Sequence, residues 1–329
     1  TGLADGGYVV TWDSAEQDGS STGIYAQTYG PSGLPAGEQF QVHTTTYYYQ
    51  NQPAITALED GGFVITWDGL FDGSGWDMGV FGQRYDATGS TQGDEFVINT
   101  YTSSNQSETS VVALAEGGFA VAWRDDNGAA DSRGGSSIDV FTKIVGVTDA
   151  DGNGVDTPIV TADEILVNTY TSGNQYDPSI SSLSDGGFVV TCHSNYQDTG
   201  SSDYGIYAQR YDANGATSGA EFQVNSYTSD YQTYSSVAAM DDGGFVVTWQ
   251  DNTSQDSVDT SGYGIRGQRY DANGDTFGDD FAVNTYTSGN QYYPDVTGLA
   301  GGDFVVTWGD ETTHANRPGT DTSGWGVFG

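Results

Sequence analysis

The residues best arranged for chemistry are Asp149-Ala150-Asp151-Gly152-Asn153-Gly154-Val155-Asp156, where oxygen-bearing side chains alternate with small residues. Such a run lets the backbone fold around a hard cation, with Gly154 at the sixth position for the sharp turn. Calcium is the expected ligand, held by Asp149, Asp151, Asn153 and Asp156. The loop departs from an EF-hand, because its twelfth position is Val160 rather than a bidentate glutamate and no flanking helical pattern is present. Asp212-Ala213-Asn214-Gly215 and Asp271-Ala272-Asn273-Gly274-Asp275 are shorter versions of the same idea, as is Asp86-Ala87-Thr88-Gly89. Two oxygens make an ordinary turn more readily than a cation site. Further acids, among them Asp18, Asp72 and Asp256, fall in the loops that follow a recurring tryptophan. Gathered on one rim they would capture cations or simply form a solvated acidic edge.

Other chemistry is sparser. Arg84, Arg210 and Arg269 share one position in the run Gln-Arg-Tyr-Asp or its close copy, and a guanidinium placed so regularly among acids reads as a structural ion pair. Tyrosines crowd what the spacing marks as fourth-strand exits: Tyr101, Tyr170, Tyr227 and Tyr286 at repeated positions, with Tyr176, Tyr231, Tyr234, Tyr292 and Tyr293 in addition. They suit either packing between sheets or stacking on sugar rings. His43, His193 and His314 lie in no metalloprotease motif and beside no nucleophile elbow, and no cysteine set could hold zinc, since Cys192 stands alone. Carboxylates are so numerous that a glycosidase-like pair would arise by chance.

The net charge of −37 excludes nucleic acid or an anionic membrane as an electrostatically attracted partner. No run reaches the ~18 apolar residues of a membrane span, and no secretory leader is visible at Thr1. Both ends break off inside a repeat, as if cut from a longer chain.

The elements that position these residues are written six times. DGGYVVTW from Asp5, DGGFVITW from Asp60, EGGFAVAW from Glu116, DGGFVVTC from Asp185, DGGFVVTW from Asp242 and GGDFVVTW from Gly301 end on Trp12, Trp67, Trp123, Cys192, Trp249 and Trp308. Such a period signals a propeller, solenoid or array. Each copy holds four short apolar segments with Gly- and Asn-rich hairpin turns between them. In Phe63-Val64-Ile65-Thr66-Trp67 both faces suit burial, so sheets must stack on both sides. The expected fold is therefore all-β, a β-propeller of four-stranded blades, rather than a string of β-sandwiches. The copies span about 1–52, 53–107, 108–176 with an insertion at 146–163, 177–234, 235–293 and 294–329, as one repeat domain with incomplete ends.

The octets, together with GIYAQRYDANG, EFQVN and NTYTSGNQ, resemble the tandem repeats of large secreted bacterial proteins that carry hemolysin-type (RTX) calcium-binding regions. The nonapeptide of the RTX β-roll is missing, so the resemblance implies a neighbouring module and not the roll itself. It implies secretion or cell-surface location, and calcium. The resulting expectation is a noncatalytic, calcium-stabilised extracellular module for adhesion or matrix assembly, partnered by calcium, glycans or copies of itself. The alternative is a carbohydrate-binding propeller or a polysaccharide-degrading enzyme that uses an acidic, tyrosine-rich face.

Overall fold

The computed structural model describes residues 1–19, 21–46, 48–71, 77–115, 117–126, 138–148, 157–159, 163–198, 203–252, 262–311 and 326–329. The expected β-propeller is what the chain forms: six antiparallel sheets, with no helix among the described residues. They divide into two compact units, Thr1–Thr171 and Ser172–Gly329, of three sheets each.

In the complete blade of the first unit, Gln50–Ala57, Phe63–Leu70, Met78–Tyr85 and Thr91–Val97 pair in sequence order. The second unit repeats this with Gln175–Ser182, Phe188–Asn195, Tyr204–Tyr211 and Phe222–Gln223, and again from Gln232 to Ala282. Two departures from four strands follow from the sequence. The sheet that begins at Gln106–Ala113 has five, because the insertion adds Thr157–Ile159 alongside Ile165–Leu166 against the third strand, Asp139–Thr148. The sheets opening at Tyr8 and Gln291 have three.

The octet works as its alternation predicts. Phe63, Ile65 and Trp67 are fully buried against Val9, Ile24, Ala26 and Val42 of the preceding sheet. Val64, on the opposite face, packs with Leu58, Val80 and Ile98 against Phe119, Val121 and Trp123 of the following one. In the second unit, Val189 and Ile206 meet Phe245, Val247 and Trp249 in the same way. The core thus lies between blades, so no blade is stable alone. At the outermost sheets the pattern loses its cover: Val10 and Val305 are exposed, whereas their counterparts Ile65 and Val246 are not.

The acidic-Gly-Gly turn is equally explicable. Gly61 has φ +86°, and a Cβ on Gly62 would fall 2.3 Å from the Tyr85 carbonyl oxygen, so neither position admits a side chain without strain. Asp60 closes the turn by accepting the Gly62 N–H at 2.8 Å.

A second recurring device sets where each first strand begins. Asn99 accepts the Val80 N–H through Oδ1 and donates through Nδ2 to Gln106 Oε1 at 3.0 Å, tying the end of one blade to the start of the next. Asn225 with Gln232, and Asn284 with Gln291, repeat the latch. In the first copy His43 takes the asparagine's place, its Nδ1 accepting the Ile24 N–H at 3.1 Å.

Candidate functional site

Two residues after the glutamine that opens each of five first strands, Gln50, Gln106, Gln175, Gln232 and Gln291, the strand breaks its register against the second. The shifts fall between Asn51 and Ala54, Ser107 and Ser110, Tyr176 and Ser179, Thr233 and Ser236, and Tyr292 and Asp295. At each of these bulges a non-glycine residue has positive φ: Gln52 (51°), Glu108 (60°), Asp177 (49°), Tyr234 (53°) and Tyr293 (53°). The left-handed region costs an L-residue of order ~1–2 kcal/mol, and strain of this kind collects at ligand sites. The scaffold around the bulge repeats while its side chain changes from copy to copy. The same holds for the residue after the last residue of each octet, which is Asp13, Asp68, Arg124, His193, Gln250 or Gly309. These positions touch across adjacent blades. Gln250 Oε1 accepts the backbone N–H of Tyr293 at 3.3 Å, and Gln52 Oε1 accepts that of Glu108 at 3.0 Å.

In the first unit the bulge carries acid–base groups. Asp68 is 2% exposed, and its Oδ1 has no hydrogen-bond partner among the described residues. Burial, reinforced by the nearby charges of Glu108 and Asp13, pushes its pKa up to about 8. Glu108, only partly buried, accepts from Arg124 Nη1 at 2.6 Å, while Arg124 Nε donates to Asp126 at 2.7 Å. Two neighbouring carboxyl groups are thereby placed in opposite settings, one desolvated and one facing a guanidinium.

In the second unit two of the three bulge residues are aromatic. Tyr234 and Tyr293 meet edge-on with centroids 4.8 Å apart. The His193 ring lies 5.2 Å from Tyr204 and 5.9 Å from Tyr234, and Tyr204 is 5.6 Å from Tyr231. Asp177 Oδ2 approaches His193 Nδ1 at 3.4 Å. Burial raises the pKa of Tyr204, so its phenol stays protonated through the neutral range.

The residues expected to bind calcium fall elsewhere. Asp149, Asp151, Asn153, Asp156, Asp72 and Asp256 lie outside the described residues. Asp212 Oδ1 accepts the N–H groups of Asn214 and Ala216, and Asp271 Oδ1 those of Asn273 and Asp275, so both carboxylates close their own turns. Asp18 is buried against His43 Nε2 at 3.2 Å. Among the described residues no group of three or more His, Cys, Asp or Glu side chains is placed to hold a metal. The repeated arginines are structural pairs as read from their spacing: Arg84 with Asp60 at 2.5 Å, Arg210 with Asp185 at 3.5 Å and Arg269 with Asp242 at 3.1 Å. Cys192 is buried and its thiol pKa is pushed up by desolvation, so it is not a nucleophile. Tyr176, Tyr234, Tyr292 and Tyr293 sit on first strands rather than at fourth-strand exits. Sequence reasoning passed over Glu108 and Asp177 altogether; the recurring glutamine two residues before them was the available signal.

No protein-family model matches the chain, and no curated protein does. Solved structures do match. An alpha-L-arabinofuranosidase from Fusarium graminearum in complex with an iminosugar inhibitor is 12% identical, covering 94% of this chain and 86% of its own, with a TM-score of 0.60. The Penicillium chrysogenum alpha-L-arabinanase complexed with arabinobiose is 12% identical over 94% and 87%, at 0.59. A Dyadobacter fermentans protein of unknown function is 11% identical over 99% and 91%, also at 0.59. At these identities the likeness defines the fold, a β-propeller of the kind these enzymes share. It also corrects the expectation that the chain is not an enzyme, because the structures that share this fold over nearly all of the chain include an arabinofuranosidase and an arabinanase.

Proposed function

We propose that this protein cleaves glycosidic bonds in a polysaccharide, with Asp68 giving a proton to the leaving oxygen and Glu108 supplying the opposing carboxylate. The observation that carries this reading is the pair itself. Asp68, pushed up to about 8, holds its proton at neutral pH, and the unsatisfied Oδ1 is an oxygen from which a buried O–H can be donated. Glu108 faces the Arg124 guanidinium at 2.6 Å, with Asp126 on the other side of that guanidinium to fix its orientation. Glycoside hydrolysis needs this division of labour: an acid that protonates the glycosidic oxygen as the C–O bond breaks, and a carboxylate that activates water or attacks the sugar carbon. The arabinose-polymer enzymes among the structural neighbours support the same class of substrate.

The test is release of new reducing ends from a panel of neutral polysaccharides that includes arabinan. Activity on at least one polymer is expected, reduced about 10²- to 10⁴-fold by Asp68→Asn and by Glu108→Gln. Hydrolysis that survives both substitutions, or none on any polymer, overturns the assignment.

A further inference from the structure

The aromatic surface of the second unit belongs to no acid–base pair, and its tyrosines are far more exposed than those that serve packing. Tyr293 is 59% exposed, Tyr231 40% and Tyr234 37%, whereas Tyr85, Tyr211 and Tyr270, which serve packing, are almost completely buried. Two of the exposed three sit on strained backbone, held there by the bulge. A packing role would be met by the ordinary pleat, which would turn these rings inward at no conformational cost.

We propose that Tyr231, Tyr204, His193, Tyr234 and Tyr293 form a platform that binds a neutral glycan chain across more than one sugar ring. The proposal rests on the reading of the protein as carbohydrate-acting, and it adds a binding surface and a charge class to it. The rings follow one another at centroid steps of 5.6, 5.2, 5.9 and 4.8 Å, a continuous track rather than a single pocket. Aromatic faces accept the C–H faces of sugars, while phenol groups along the same track exchange hydrogen bonds with hydroxyls; the buried His193 ring, 5% exposed, joins Tyr204 to Tyr234 from beneath. Tyr204, held protonated by its partly buried surroundings, is a donor throughout the neutral range. Asp177, beside His193, supplies an acceptor at one edge of the track.

Charge decides which glycans fit. Among the described residues of this unit, Arg210, Arg266 and Arg269 are each paired with a carboxylate, at 3.5, 2.7 and 3.1 Å. Among the described residues no guanidinium of this unit is left over to meet a uronate, and a chain of net charge −37 repels polyanions. Neutral polysaccharide is therefore the ligand, and acidic polysaccharide is excluded.

The experiment uses the full chain carrying Asp68→Asn, so that binding is read without cleavage. Its mobility in native gels containing arabinan, xylan or a neutral glucan is compared with gels containing polygalacturonate or alginate. A neutral polymer should retard it and the acidic ones should not. Adding Tyr293→Ala should weaken retardation tenfold or more, with Tyr293→Phe keeping most of it, since the ring face remains. Because Tyr293 is mostly exposed, the alanine variant keeps the parent's circular dichroism, and that spectrum is recorded alongside. Equal retardation of parent and Tyr293→Ala, or stronger retardation by the acidic polymers, overturns the platform. Should Tyr293-dependent binding appear while the unsubstituted chain cleaves nothing, the platform stands and the acid–base assignment alone falls. Should cleavage occur with binding indifferent to Tyr293, the reverse holds.

Discussion

The two units use one scaffold for two kinds of chemistry. At the bulge of the first strand, the unit Thr1–Thr171 presents Gln52 and Glu108, with Asp68 and Arg124 reaching across from second strands; the unit Ser172–Gly329 presents Asp177, Tyr234 and Tyr293, with His193 and Gln250 in the reaching role. The latch, the register shift and the positive φ are the same. Only the side chains differ, which separates what builds the site from what the site does. The backbone geometry comes from asparagine, glutamine and glycine at fixed places, and the chemistry comes from two positions that are free to vary.

The largest expected effect that sharpens this contrast is catalytic. Asp68→Asn and Glu108→Gln should each remove about 10²- to 10⁴-fold of hydrolytic rate, whereas Tyr293→Ala should act chiefly through substrate binding and raise KM. Steady-state kinetics on a neutral polymer read the split, and equal effects on kcat from both units would erase the distinction.

Stability offers a second comparison through the repeated arginine. The Arg84 side chain is 2% exposed beside Asp60, while that of Arg269 is 29% exposed beside Asp242. Arg84→Ala empties a buried position, while the partner carboxylate it leaves behind is 42% exposed and stays hydrated, so it should cost about 2–3 kcal/mol, mostly as lost packing; Arg269→Ala, screened by water, should cost about 1 kcal/mol or less. Urea denaturation measures both, and equal losses would mean that burial does not govern the pair.

Asp68 gives an effect that depends on pH. Its folded pKa of about 8 lies above the unfolded value of 3.8. Between those values the unfolded chain releases a proton that the folded one retains, so native stability falls as pH rises from about 4 to about 8. Asp68→Asn has no proton to retain and should melt higher than the parent at pH 8, with the advantage vanishing near pH 4. Parallel melting curves at all pH values would show that Asp68 is not desolvated as described.

The smallest effect concerns calcium, proposed for the 149–156 loop. Chelation at moderate salt should lower the melting temperature by a few degrees, and Asp151→Ala should abolish the difference. An unchanged melt in chelator would count against any structural cation there.

The blades were legible in the sequence because burial on both faces forces the octet to repeat, and its alternation states which residue faces which neighbour. The ion pairs of Arg84, Arg210 and Arg269 were legible for the same reason, since a charge repeated at one strand position must meet a repeated partner. The site was not. A left-handed glutamate or tyrosine carries no composition signal of the kind glycine gives, and Glu108 and Asp177 look like two acids among 45. Tyr176, Tyr234, Tyr292 and Tyr293 fall on first strands and not at fourth-strand exits, because those strands open at Gln175, Gln232 and Gln291, ahead of these tyrosines. The acidic turns drew attention to Asp212 and Asp271, whose carboxylates are occupied by their own backbone.

The left-handed residue is imposed by the main chain around it and asks nothing of its own side chain beyond length and reach. A gene that grew by copying one blade would therefore inherit a set of interchangeable mounts. Point changes at Gln52, Glu108, Asp177, Tyr234 or Tyr293 could retune what each blade offers without disturbing the tryptophan layer between sheets, and grafting tyrosine onto position 52 or glutamate onto position 234 is the direct route to a reprogrammed surface.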